Sequence, residues 1–263
     1  MAISPTDSEI AAPQAASWRD FVTLGNAIFC LIFLSLTAFV LLEFVIPEVR
    51  DRTAFWDAPP YVVANDPIKQ PSRLEPFSIK GKYGLYTHKR QYQLEPVSAY
   101  VIEARVLHRR HYYSDANAAD LIPFDLGLGW GPMADAAALR RYFIFRHINT
   151  GGRMLWITPR TRDIPADYVQ EAQSGVHFSN NHIIPASDAI FETIRGLSAG
   201  DVVRLKGLLV NVTRPDAPEW RWITSQHPRE DANKNGRWGD GASFDNQTTC
   251  DTMLVTEAEI IAQ

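Results

Sequence analysis

The sequence predicts an α+β, mainly β fold in which one N-terminal transmembrane helix precedes a single globular domain. Three observations predict it. An uncharged run of 22 residues spans Phe21 to Leu42, and six prolines cluster between Pro47 and Pro76. Beyond Phe77, short apolar segments alternate with polar residues and are punctuated by Gly, Pro, Asn and Asp. The expected organisation is a short tail over 1–20, a membrane helix over 21–46, a Pro-rich spacer over 47–76 and a globular domain over 77–263.

The helix comes first in the chain. At 1.5 Å per residue its 22 residues reach roughly 33 Å, enough to cross the hydrocarbon core of a bilayer. Thr23 and Asn26 lie near one end, where polar groups cost least, and Pro47 follows the last turn as a stop. A cleaved signal peptide wants a basic start and a shorter apolar stretch. Here the first 20 residues hold one basic side chain, Arg19. The lipid bilayer is therefore the expected partner of residues 21–46.

Composition excludes several classes. A net charge of -4 argues against a broadly basic nucleic-acid binder, so no nucleic acid is expected as partner. Two cysteines exclude a disulfide scaffold and any four-thiolate zinc site. With Cys30 inside the apolar run, Cys250 has no intrachain partner on its own side of a membrane.

Prolines, with Asn65-Asp66-Pro67 and Gln70-Pro71-Ser72, read as an extended spacer. The clearest strand follows over Ser98 to Tyr113, where Tyr100, Ile102, Ala104 and Val106 alternate with Glu103, Arg105 and Arg109. PFDLGLGWGPM, residues 123–133, reads as a Gly/Pro loop, and Ala134 to Arg141 has helix-forming composition. Tyr142 to Ile148 and Arg153 to Thr158 read as a hairpin turning at Asn149-Thr150-Gly151-Gly152. Ser187 caps a short helix with Ile190, Phe191, Ile194 and Leu197 on one face.

Gly200-Asp201 then turns into VVRLKGLLVNV, a long strand in which Gly207 marks a bulge or bend, as in a small barrel. Glu219 to Ser225 and Met253 to Ile261 supply the last strands. Helix, Gly-Asp turn, bent strand, hairpin and closing strand together predict an OB-like, partly closed β-barrel of five or six strands. The fold alone does not give the function.

Several residues carry candidate chemistry. In DANKNGRWGD, Asp231, Asn233, Asn235 and Gly236 fit positions 1, 3, 5 and 6 of a calcium loop. The twelfth position is Ala242, where a bidentate Glu belongs, so Asp240 or Asp245 would have to serve by another path. A plain solvated loop explains the same residues. No other cofactor is expected. Asn181 and His182 precede Pro185-Ala186 at a helix entry, where such side chains satisfy backbone groups. His108 and His111 are three apart on a strand and cannot chelate together. The run His108 to Tyr113 is the best basic-aromatic patch. GLGWG fails as a dinucleotide fingerprint because its third glycine falls at Pro132. Trp130 either fills the core or stands at a binding rim. Cys250, beside Asp251, reads as a buried structural thiol.

Taken in order, residues 123–133, SNNHIIPA (179–186), GDVVRLKGLLV (200–210) and Trp220-Arg221-Trp222 resemble a family of uncharacterised bacterial membrane-anchored proteins. The resemblance covers roughly residues 92–256 and rests on the Trp-Gly loop and the Asn-x-His-x-Ile-Pro-Ala segment. It maps a basic residue, an aspartate and a cysteine-acid pair onto Arg229, Asp231, Cys250 and Asp251. It implies an inner-membrane location and no activity.

The function expected is a single-pass, membrane-tethered, non-enzymatic binding or assembly module. It would serve as an accessory subunit engaging another membrane or extracytoplasmic protein. A short tail before a large domain points to an extracytoplasmic domain. One alternative is a membrane-anchored hydrolase whose loop-built pocket holds Asp125, Trp130, Asn181, His182 and Arg229. The other is a calcium-stabilised extracytoplasmic domain.

Overall fold

Gln91 to His111 form one strand of 21 residues, β3, the longest of the described strands. In this computed structural model the described backbone covers residues 18–40, 54–85, 88–113, 118–148, 153–224 and 250–263. Two units are separate in the chain, Met1–Arg50 and Asp51–Gln263.

The first unit holds α1 (Trp18–Val40). Its described side chains are Asn26 and Ile28 to Ala38, and every one is exposed, including Phe29 at 69% and Leu31 at 65%. Among the described residues no helix is long and apolar enough to cross a membrane. The remainder of the expected 21–46 span lies outside the described residues.

The second unit is mainly β. It adds β1 (Ile68–Pro71), β2 (Phe77–Lys80), β4 (Phe124–Gly129), a 3-10 turn (Gly131–Ala134) and α2 (Ala136–Tyr142). There follow β5 (Phe143–Ile148), β6 (Met154–Pro159), α3 (Ala166–Ser174), β7 (Phe178–Pro185) and α4 (Asp188–Gly196). The chain closes with β8 (Val202–Arg214), β9 (Ala217–Trp222) and β10 (Cys250–Ala262).

One eight-stranded sheet runs β1-β3-β4-β7-β10-β8-β9, with β2 also on β3 and β3 pairing β8 as well. The pairings β3–β4, β4–β7, β7–β10, β10–β8 and β8–β3 therefore follow one another round a ring. All are antiparallel except β7–β10. The sheet is not a clean barrel, because β1, β2 and β9 extend it outside that ring. β5 and β6 form a separate two-stranded sheet.

Alternation sorts the core. Tyr100, Ile102, Ala104 and Val106 of β3 meet Phe124, Leu126 and Leu128 of β4 and Leu205, Leu209, Met253 and Val255 in the main cluster. Gly207 faces β10 so closely that a Cβ would stand 1.9 Å from the Leu254 carbonyl oxygen. The β8–β10 register shifts just beyond, between Val255 and Glu257, so the expected irregularity at Gly207 is there. Ser187 caps α4 by accepting from the Ile190 N–H, and Ile190, Ile194 and Leu197 are buried.

Several expectations need correction. PFDLGLGWGPM is not a loop; its first half is β4, buried along its whole length. SNNHIIP is likewise strand β7 rather than a helix-entry loop. The described part of the Pro-rich segment is not a spacer standing off from the domain. Phe55 and Val63 are buried, β1 pairs with β3, and the Tyr61 hydroxyl donates to Glu103 at 2.9 Å. The cause is Arg105, expected on the polar side of β3 but 1% exposed. Its guanidinium donates to the carbonyls of Pro59, Tyr61, Ala134 and Gly200 at 2.6–3.0 Å. Prolines offer carbonyls and no N–H, which suits a strand of acceptors wrapped on one buried donor fork.

Candidate functional site

β7 carries four consecutive polar side chains that are all buried: Ser179 at 0%, Asn180 at 3%, Asn181 at 0% and His182 at 1%. Buried strands are ordinarily apolar runs, and buried polar groups persist where they are hydrogen-bonded. Alternation divides the four between the faces of the sheet. Ile183 packs in the main cluster, so Ser179 and Asn181 share its inner face. Ile184 packs in a second cluster with Leu94, Ile122 and Val212, so Asn180 and His182 face outward.

On the outer face, strand register lines up two rows. The first is Arg110, Asp125, His182 and Thr252, on β3, β4, β7 and β10. The second is His108, Gly127, Asn180 and Cys250. Over these rows lies the β5–β6 hairpin. Leu155 of β6 rests on Gly127, where a Cβ would approach its methyl carbons to 2.8 Å. Glycine at 127 is what lets the hairpin sit down on the sheet.

Arg153, at the foot of β6, enters the first row. Its Nη2 and Nε donate to the two oxygens of Asp125 at 2.6 and 3.0 Å, and its Nη1 donates to the Ile122 carbonyl at 3.0 Å. The guanidinium lies 3.8 Å from the Tyr112 ring centre and 5.5 Å from that of Trp222. Arg153 and Asp125 are both 0% exposed, and Arg153 holds φ at +59°, a conformation uncommon for a non-glycine residue. His182 Nδ1–H donates to Asp125 Oδ1 at 2.8 Å, while Trp222 meets the imidazole edge-on at 4.6 Å. Burial alone would raise the Asp125 pKa. Arg153 and then His182 more than offset it and hold the carboxyl well below the usual range. The Tyr112 hydroxyl is buried and its pKa is raised, by burial first and then by Asp125.

The second row holds no carboxylate and no guanidinium. Asn180 Nδ2 donates to the Arg153 carbonyl at 2.7 Å, which turns Oδ1 toward His147 Nε2 at 2.8 Å. An amide oxygen only accepts, so His147 carries its proton on Nε2 and presents a bare Nδ1. His108 Nδ1–H then donates to that nitrogen at 2.7 Å. Protonating His147 would set two N–H groups against each other. Burial, and then His108, lower its pKa to about 3.

Of the expected site residues, Asp125 and His182 are brought into contact, on strands rather than loops. Trp130 is not at a rim: it is 1% exposed in the main core, and its Nε1–H donates to Asp66 at 3.0 Å. Asn181 lies on the opposite face from His182, with its Nδ2 donating to Ser179 Oγ at 2.7 Å. Cys250 is buried at the start of β10, its Sγ 3.7 Å from Asn180 Nδ2. Asp251 faces the other way and accepts from Lys69 at 3.2 Å. Arg229, Asp231, Asn233, Asn235 and Asp240 lie outside the described residues. Among the described residues, no group of three or more His, Cys, Asp or Glu could hold a metal ion. The basic-aromatic run divides: His108 and Tyr112 are buried, while Tyr113 is 57% exposed and the tilted His111 ring has its centre 4.0 Å from that of Tyr113.

Sequence reading missed Arg153 and His147, the two residues that tie the hairpin to the sheet. The one signal for Arg153 was its place directly after Gly151-Gly152, at the end of a hairpin turn.

No family model, no curated protein and no solved structure matches this chain.

Proposed function

We propose that the chain is a single-pass, membrane-tethered, non-enzymatic binding or assembly module whose domain is an OB-like, partly closed barrel. The observation that carries the tether is α1, a helix whose described side chains are nearly all apolar and are exposed on every side. A helix that is hydrophobic all round is at home only in a protein core or in lipid. The strand order β3-β4-β7-β10-β8-β3, with one parallel pair and α4 between β7 and β8, supports the barrel reading. The module reading is supported by the ionisable centre, which is wholly covered: Asp125, Arg153 and His182 are each at most 1% exposed. Catalysis needs such groups within reach of a substrate.

The domain lies on the extracytoplasmic side of the inner membrane and engages another membrane or extracytoplasmic protein. The test is protease treatment of intact and of opened cells, with co-purification in mild detergent. Digestion once only the outer barrier is permeabilised, together with a stoichiometric partner, is expected. A protein that washes off membranes with salt, or purifies alone at native expression, would count decisively against the reading.

The 2.8 Å contact between His182 and Asp125 favours a second reading, a membrane-anchored hydrolase with His182 as an oriented base. It requires that the cover over the pair open. Ester hydrolysis lost in His182→Ala would establish it.

A further inference from the structure

What covers Asp125 and the His108–Asn180 row is a two-stranded hairpin that belongs to no larger sheet. β5 and β6 pair only with each other, and the hairpin meets the main sheet through side chains. At its root Phe143 and Phe145 pack with Phe55, Leu107 and Leu139. Nearer its turn the hold is polar apart from Leu155 on Gly127: Arg153 on Asp125 and Ile122, and His147 on His108 and Asn180. An apolar root with a polar far end is the construction of a strap that can lift at one end.

The place Arg153 fills has a definite chemistry. A carboxylate takes the guanidinium bidentately, a carbonyl takes a third N–H, and two aromatic rings, Tyr112 and Trp222, lie over the cation. A planar fork is matched on its edge and on its face, which suits a guanidinium and not an ammonium. Next along the row, beside His182, the buried Thr252 Oγ1 has no hydrogen-bond partner among the described residues. Arg153 also holds its positive φ there. Its own backbone is therefore strained in the seat it occupies.

We propose that Arg153 is a built-in ligand of a guanidinium cage, and that lifting of the β5–β6 strap frees the cage for an arginine side chain of a protein partner. This rests on the module reading above and names the chemistry of the partner. The same lifting parts His147, on the strap, from His108 and Asn180 beneath it, so His108 and His147 are bared together.

The test uses the full chain in detergent micelles and has two arms. In the first, diethyl pyrocarbonate modifies unprotonated imidazoles across a urea series, with exposed His88 as reference and far-UV circular dichroism reporting global unfolding. His108 and His147 should react at one shared rate, well below the urea concentration at which the dichroism is lost. Modification only with global unfolding overturns the strap. In the second arm, Arg153→Ala should raise these two rates about a hundredfold and let His182, bonded to Asp125, react through the emptied seat. Millimolar methylguanidinium should slow His182 modification again, whereas methylammonium should not. If both cations act alike, or neither acts, the cage is overturned. Should Arg153→Ala fail to fold, Arg153→Lys carries the same comparison, because an ammonium leaves the bidentate seat unfilled. Loss of the partner in co-purification would sink the module reading and leave both arms standing.

Discussion

Two arginines on opposite sides of the same ring are each pinned by carboxylates, and they do different work. On the β3–β8–β10 side, Arg204 stands directly across from Glu103 and Glu259 and bonds both, at 2.7 and 3.1 Å. Its side chain is 40% exposed, and Lys206 and Glu257 repeat the arrangement on the same solvent face. On the β4–β7–β10 side, Arg153 and Asp125 make a tighter and bidentate pair at 0% exposure. The first side keeps its core apolar and its charges outside. The second puts charge under a hairpin. The lesson is that the same ion pair is a solvated ornament in one place and a structural commitment in the other, because water competes only in the first.

The comparison can be broken by removing one partner at a time. Asp125→Asn keeps the shape but strands a buried guanidinium, and should cost about 3–5 kcal/mol of unfolding free energy in urea titrations. A cost no larger than for an ordinary surface substitution would erase the distinction. Gly127→Ala should cost about 1–3 kcal/mol, because the new methyl group meets Leu155. Leu155→Ala in the same chain should return part of that loss, since the two sites share one space.

A pH series sharpens the contrast. His147 has its pKa lowered to about 3 and His111 to about 4, in each case chiefly by burial. Between those values and the ordinary imidazole value near 6.5 the unfolded chain binds protons that the folded chain does not. Stability should therefore fall as pH drops from about 6.5 to about 4, by up to two protons' worth of slope. His111→Phe, which suits the rings of Phe124 and Phe191 around it, should remove one proton from that slope. A slope unchanged by the substitution would contradict the assignment. Smallest of all, Arg204→Ala should leave the urea midpoint within experimental error, and any residual effect should vanish in salt.

Much of the β architecture was legible because alternation, caps and turn residues are local. Ser187, Gly207 and the two hairpin strands sit where the pattern puts them. β4 and β7 were not legible for one shared reason. A strand covered on both faces loses its alternation, and here glycine, asparagine and histidine, which ordinarily signal loops, fill the positions beneath the hairpin. The spacer was misread for a different reason: proline content reports a stiff backbone but is blind to a buried arginine far along the chain that collects its carbonyls. Within the site, Asp125 and His182 were legible as chemistry-bearing types. Their contact, and the arrival of Arg153, depend on strand register and could not be read from spacing.

Double-mutant cycles in urea on the two arginine pairs test the central claim most directly. The account predicts a coupling of about 3 kcal/mol between Asp125 and Arg153, and no measurable coupling between Glu103 and Arg204. Equal couplings, or a larger one at the exposed pair, would contradict it.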